Sequence, residues 1–168
     1  MQNTVRQYLE GIANGTMRRF LQLILDPMAE RYSSCTIQNP GMVISGAGAT
    51  TAKIGASALV YVARGIPVSI AGSTTLPVLT PSMTFTTGQF LIVGFYGDQF
   101  GNLTSVAGNP GATLAKATFP ALVEGLAVLG YLIITYAGTF TGGTTPLDTA
   151  TTTYVSPDGA FDPTLLPH

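Results

Sequence analysis

His168 is the only histidine of the 168-residue chain and Cys35 the only cysteine. A Cys–His nucleophile would need the last residue to fold back onto Cys35, and a terminal imidazole is a poor anchor for a catalytic triad. A structural zinc site takes about four Cys or His ligands, and this chain offers only these two. The carboxylates Asp98, Glu124, Asp148, Asp158 and Asp162 are scattered, so no pair is set up by spacing for general acid–base work. The run from Asp158 through Gly159 to Asp162 has the look of part of a calcium loop. It lacks the further oxygen ligands and the closing Glu, and reads as a solvated turn. Gly46-Ala47-Gly48-Ala49-Thr50-Thr51 begins like a dinucleotide loop but has no third glycine in place, and no phosphate-loop lysine motif occurs anywhere. With one thiol, no intrachain disulfide can form. The expectation is a protein that is not an enzyme and needs no metal or cofactor.

The elements that would carry a binding function divide the chain by composition. Residues 1–36 hold Arg6, Glu10, Arg18, Arg19, Asp26, Glu30 and Arg31, seven of the fifteen acidic and basic side chains. Val5, Tyr8, Leu9, Ile12 and Ala13 recur at helical spacing, and Asn14-Gly15 interrupts them. Thr16 is placed to cap a second helix bearing Met17, Phe20, Leu21, Ile24 and Leu25, which Asp26-Pro27 ends or kinks. One continuous helix with a weak point at Gly15 fits the same pattern. The apolar residues wrap around more than one side of such a helix. The helix either folds onto the domain's own core or is an arm that touches the domain on one side and a neighbouring copy or partner on another.

From 37 to 155 the signals are β: short runs of Val, Ile, Thr, Tyr and Phe punctuated by Gly and Pro. Candidate strands are 41–45, 58–64, 66–71, 83–86, 89–96, 103–107, 126–135 and 152–155. Arg64-Gly65 marks one hairpin turn, and Gly97-Asp98-Gln99-Phe100-Gly101-Asn102 a stronger one. Many short strands with tight turns suggest a β-sandwich or jelly-roll-like barrel. The segment 118–123 reads as a helical turn or an irregular crossover. The closing stretch 156–168 carries Pro157, Pro163 and Pro167 with Phe161, Leu165 and Leu166, so it is an extended tail that packs on its own domain or reaches a neighbour.

Charged residues make up only 9% of the chain, against 46% hydrophobic, where about 25% charged is usual. Such a surface does little to keep copies apart, which points to a homodimer or homotrimer, or to a part of a larger assembly. The net charge of −1 and the absence of a basic patch argue against nucleic acid. No apolar run is long enough to span a bilayer as a helix, and Met1 to Glu10 lacks the apolar core of a secretory signal.

Residues 88–155 resemble a family of tailed-bacteriophage virion proteins of the head decoration (cement) or head-fibre type. The resemblance rests on Gly88-Gln89-Phe90-Leu91-Ile92, the turn from Asp98 to Gly101, and Leu129-Gly130-Tyr131-Leu132-Ile133-Ile134. It continues through Phe140-Thr141-Gly142-Gly143-Thr144-Thr145-Pro146-Leu147-Asp148 to Thr153-Tyr154. It implies a β-domain on the capsid surface whose partners are the major capsid protein and its own copies, assembled in the host cytoplasm. Residues 1–36 have no counterpart in it. The expected function is to bridge neighbouring capsid subunits and stabilise the head, with Phe20, Leu21, Ile24, Leu25, Phe161, Leu165 and Leu166 as interface candidates. A head fibre or tail component is the alternative. A carbohydrate-binding β-module is a further one, but it would want aromatic platforms; Trp is absent.

Overall fold

The computed structural model describes residues 34–159 apart from 81 and 124. The chain is mainly β, and no α-helix occurs among the described residues. The helices expected N-terminal to Ser34 and the tail beyond Gly159 lie outside the described residues.

Eleven strands follow one another: β1 (Cys35–Gln38), β2 (Met42–Ile44), β3 (Ala52–Ile54), β4 (Leu59–Ala63), β5 (Ile66–Ile70), β6 (Thr84–Phe85), β7 (Phe90–Gly97), β8 (Leu103–Ala107), β9 (Ala127–Thr135), β10 (Phe140–Thr141) and β11 (Thr151–Val155). They form a four-stranded sheet in the order β11-β9-β7-β8, a three-stranded sheet β1-β4-β5, and two ribbons, β2-β3 and β10-β6. Every ladder is antiparallel. The eight candidate strands all appear, within a residue or two at each end. Three strands were not expected. β1 begins at Cys35, inside the span assigned to the arm, and β3 and β10 are too short to show a period. The segment 118–123 is irregular, and a single 3-10 turn, Leu114–Lys116, precedes it.

The β4–β5 hairpin turns on Arg64 and Gly65, both at positive φ (53° and 77°). This conformation matches the twist of two-residue hairpins, and glycine adopts it without steric cost. Inward residues of both larger sheets meet in one core: Leu59, Tyr61 and Ala63 from β4, Leu91, Val93 and Phe95 from β7, and Ala127, Leu129, Leu132 and Ile134 from β9. The ribbons close it, with Phe85 and Phe140 stacked at 5.0 Å.

β7 is an uninterrupted apolar run because it is covered on both faces, as such runs usually are. Leu91, Val93 and Phe95 face the shared core, whereas Ile92, Gly94 and Tyr96 face away yet are also buried. The loop after β8 supplies the second cover. Gly108 and Gly111 bond to the backbone of Ile92 and Phe90. Tyr96 Oη then donates to Pro120 O at 3.5 Å, and the Phe119 ring meets Tyr131 edge-on at 5.4 Å.

Candidate functional site

Among the described residues, the groups that carry ordinary side-chain chemistry are each committed to the fold or stand apart. Asp98 caps the β7–β8 turn. Its Oδ1 accepts from the backbone N–H of Phe100 (2.8 Å) and of Asn102 (2.9 Å), and its Oδ2 from Asn102 Nδ2 (2.7 Å). The side-chain bond from Asn102, helped by the backbone donors and opposed by desolvation, holds its carboxyl below the usual range. Asp148 Oδ2 accepts from Gly48 N at 2.7 Å, so the Gly46–Thr51 loop spends a backbone donor on the chain's own carboxylate. Asp158 is exposed and Cys35 half-buried on β1. Among the described residues no three His, Cys, Asp or Glu side chains come together. His168 and Asp162 lie outside the described residues.

The described tyrosines are structural. Tyr61 Oη donates to Asp98 O at 2.8 Å, tying the three-stranded sheet to the β7–β8 turn. Burial, with a smaller contribution from the Asp98 charge, pushes its phenol up to about 12. Burial alone pushes Tyr96 up to about 12 and raises Tyr131. Tyr131 is buried, and Tyr136 and Tyr154 are half-buried against the core. None of these three is the open aromatic platform that a carbohydrate module would need.

What the surface offers is apolar contact. Phe100 projects from the tip of the Asp98 turn and is 79% exposed. Behind it the edge strand β5 carries Val68 and Ile70, both close to Gly101. Ile66, Leu122 and Val123 are also exposed, and Gly125 lies so close under the Arg64 guanidinium that a Cβ there would collide with it. Sequence reasoning located the turn but not the exposure of Phe100, because a turn pattern does not say which side chain points out.

The two ends of the described chain meet on β1. Thr36 and Gly159 exchange backbone bonds of 3.1 and 2.9 Å in an antiparallel bridge. Thr36 Oγ1 donates to Pro157 O at 2.7 Å, and Asn39 Nδ2 donates to Leu129 O at 2.7 Å and to Pro157 O at 3.1 Å. The first residues of the Pro-rich stretch thus pair with their own domain, and the chain enters β1 beside the point where it leaves Gly159. The interface candidates Phe20, Leu21, Ile24 and Leu25 precede this junction, and Phe161, Leu165 and Leu166 follow it. All seven lie outside the described residues.

Compared with protein-family models, curated proteins and solved structures, the chain matches none. Among the described residues no helix is long and apolar enough to cross a membrane, which says nothing of a β-barrel.

Proposed function

We propose that the chain is a non-enzymatic virion structural protein, a decoration or cement protein that binds the outer capsid surface and bridges neighbouring capsid subunits. The observation that carries the reading is where the phage-like segments fall. Gly88 to Ile92 lead into β7, Asp98 to Gly101 form its turn, Leu129 to Ile134 lie on β9, Phe140 opens β10, and Thr153 and Tyr154 lie on β11. Most of them lie on the four-stranded sheet, and Phe140 lies on the β10-β6 ribbon that closes the same core. In this reading the two larger sheets form a β-sandwich, the N-terminal segment is a helical arm, and no cofactor is needed. The working protein is a dimer or trimer whose partners are the major capsid protein and itself, with no role for nucleic acid or membrane.

The paired exit of two apolar segments beside β1 supports this mechanism. Several weak contacts made from one origin act together through effective concentration, and binding only the assembled shell stabilises that shell by mass action. Gold-labelled antibody against the β-domain, applied to purified virions, tests it. Regular labelling over the head is expected; labelling confined to the tail, or none, overturns the proposal.

A further inference from the structure

The outer face of the sheet β1-β4-β5 is built without charge. The register sets Cys35, Val62 and Pro67 in one row across the three strands, and Gln38, Val60 and Ser69 in the next. These residues alternate with Thr36 and Tyr61, which are buried on the inner side. Val60 and Val62 are half-buried, Pro67, Ser69 and Gln38 exposed, and Ile37, at the bulge in β1, is 60% exposed. An apolar sheet face is ordinarily covered by another layer. The four-stranded sheet has such a second cover in the loop over Ile92 and Tyr96; here Ile37, Gln38, Pro67 and Ser69 stay exposed around the half-buried Val60 and Val62.

We infer that this face is the seat of the chain's own segment Met17–Leu25. The preceding chain joins the fold at this sheet, where Arg64 N donates to Ser34 Oγ at 3.3 Å at the mouth of the β4–β5 turn. Eight residues, 26–33, separate Leu25 from Ser34. Extended, they reach about 26 Å, whereas a three-stranded sheet is about 10 Å across. At helical spacing Met17, Phe20, Leu21 and Ile24 fall on one stripe, and Arg18 and Arg19 fall off it. An uncharged stripe therefore meets an uncharged face, with Arg18 beside it and Arg19 turned away from it. Leu23, off the stripe, remains for a partner. The inference does not depend on a capsid.

Trypsin digestion of the full chain tests it, because Arg18 and Arg19 lie inside the seated segment and Arg6 outside it provides a reference. Cleavage after Arg18 and Arg19 is expected at least tenfold slower than in a synthetic peptide of residues 12–30, and independent of protein concentration. Val60→Lys with Val62→Lys should restore peptide-like cleavage, and so should Phe20→Ser with Ile24→Ser, which leaves the β-domain untouched should the first pair fail to fold. Peptide-like cleavage in the unaltered chain overturns the inference. So does protection lost on dilution, which would mean a second copy is the occupant, or protection that survives both pairs of substitutions. None of these outcomes bears on head labelling, so the two readings stand or fall separately.

Discussion

In the four-stranded sheet, β7 and β9 are buried from both sides, by the shared core and by the loop over Ile92 and Tyr96. In the three-stranded sheet, β4 is buried only toward the core; its outward Val60 and Val62 are half-exposed, and β5 is an edge. Pro67 on that edge has no N–H to offer an incoming strand, a common way to discourage unwanted pairing. The difference separates a sheet that the described residues cover on both faces from one whose outer face is left to another segment, although both sheets draw on the same few residue types. The greatest contrast in stability should follow it. Phe95→Ala removes a ring that is 1% exposed at the centre of the shared core and should cost about 3–5 kcal/mol. Val62→Ala on the half-buried outer face of β4 should cost about 1 kcal/mol. Urea denaturation of the two variants measures this, and equal losses would erase the distinction.

The second cover can be probed by itself. Phe119 is half-buried and meets Tyr131 edge-on. Phe119→Ala forfeits that ring pair, about 0.5–1.5 kcal/mol, together with part of the ring's burial, for a total of about 2 kcal/mol. Amide exchange should accelerate at Ile92 and Tyr96 before it does at Tyr61. Acceleration beginning at Tyr61 would mean the loop acts through the shared core and not as a separate layer.

The unequal finish of the two sheets was partly legible in the residues. The run Phe90 to Tyr96 has no polar alternation, which is how a strand covered on both faces reads, and Arg64-Gly65 and Gly97 to Asn102 announced their turns through local backbone demands. Those turns also paired β4 with β5 and β7 with β8, but the remaining strand partners were not legible. β9 lies between β11 and β7 because of packing among residues far apart in sequence, and no local pattern encodes that order. Cys35 and Thr36 looked like the end of a helical arm; they are a strand because Tyr61 and Gly159 pair with Thr36 from either side. The surface was the least legible part. Phe100 is an aromatic that any hydrophobicity count assigns to a core, and only the Asp98 hydrogen bonds explain how it is held outward.

The link between the sheets provides a smaller effect. Tyr61→Phe deletes the hydroxyl that bonds Asp98 O and should cost about 1 kcal/mol. Tyr61 and Tyr96 also give the protein an alkaline limit. Their folded-state values, about 12, exceed the usual tyrosine value of about 10, so folding favours the neutral phenols. The resulting stability is complete below about pH 10 and is lost as pH rises toward 12. Tyr61→Phe should flatten that decline in part and leave the contribution of Tyr96. An unchanged alkaline profile would show that the Tyr61 phenol already ionises normally in the fold.

The smallest effect concerns Asp98, which is exposed to solvent and acts through geometry. Its carboxyl is held below its usual value, so its ionised form is favoured in the folded chain. That contribution is complete above about pH 4, near the ordinary aspartate value, and fades as pH falls through the lower folded value. Asp98→Asn keeps one acceptor for the N–H groups of Phe100 and Asn102 but removes the charge. The acid part of the stability profile should therefore shallow while the profile near neutrality shifts only slightly. The location of the change matters more than its size. Gly101 sits against Ile70 and Val68 on the open edge, and Tyr61 holds Asp98 from the same sheet. Loosening the turn should thus raise amide exchange at Val68 and Ile70 while leaving Leu132 and Ile134, buried in β9, protected. Faster exchange in β9 with a quiet β5 would place the turn's mechanical connection in the doubly covered sheet. Phe100 would then be an extension of that sheet and not a neighbour of the open edge.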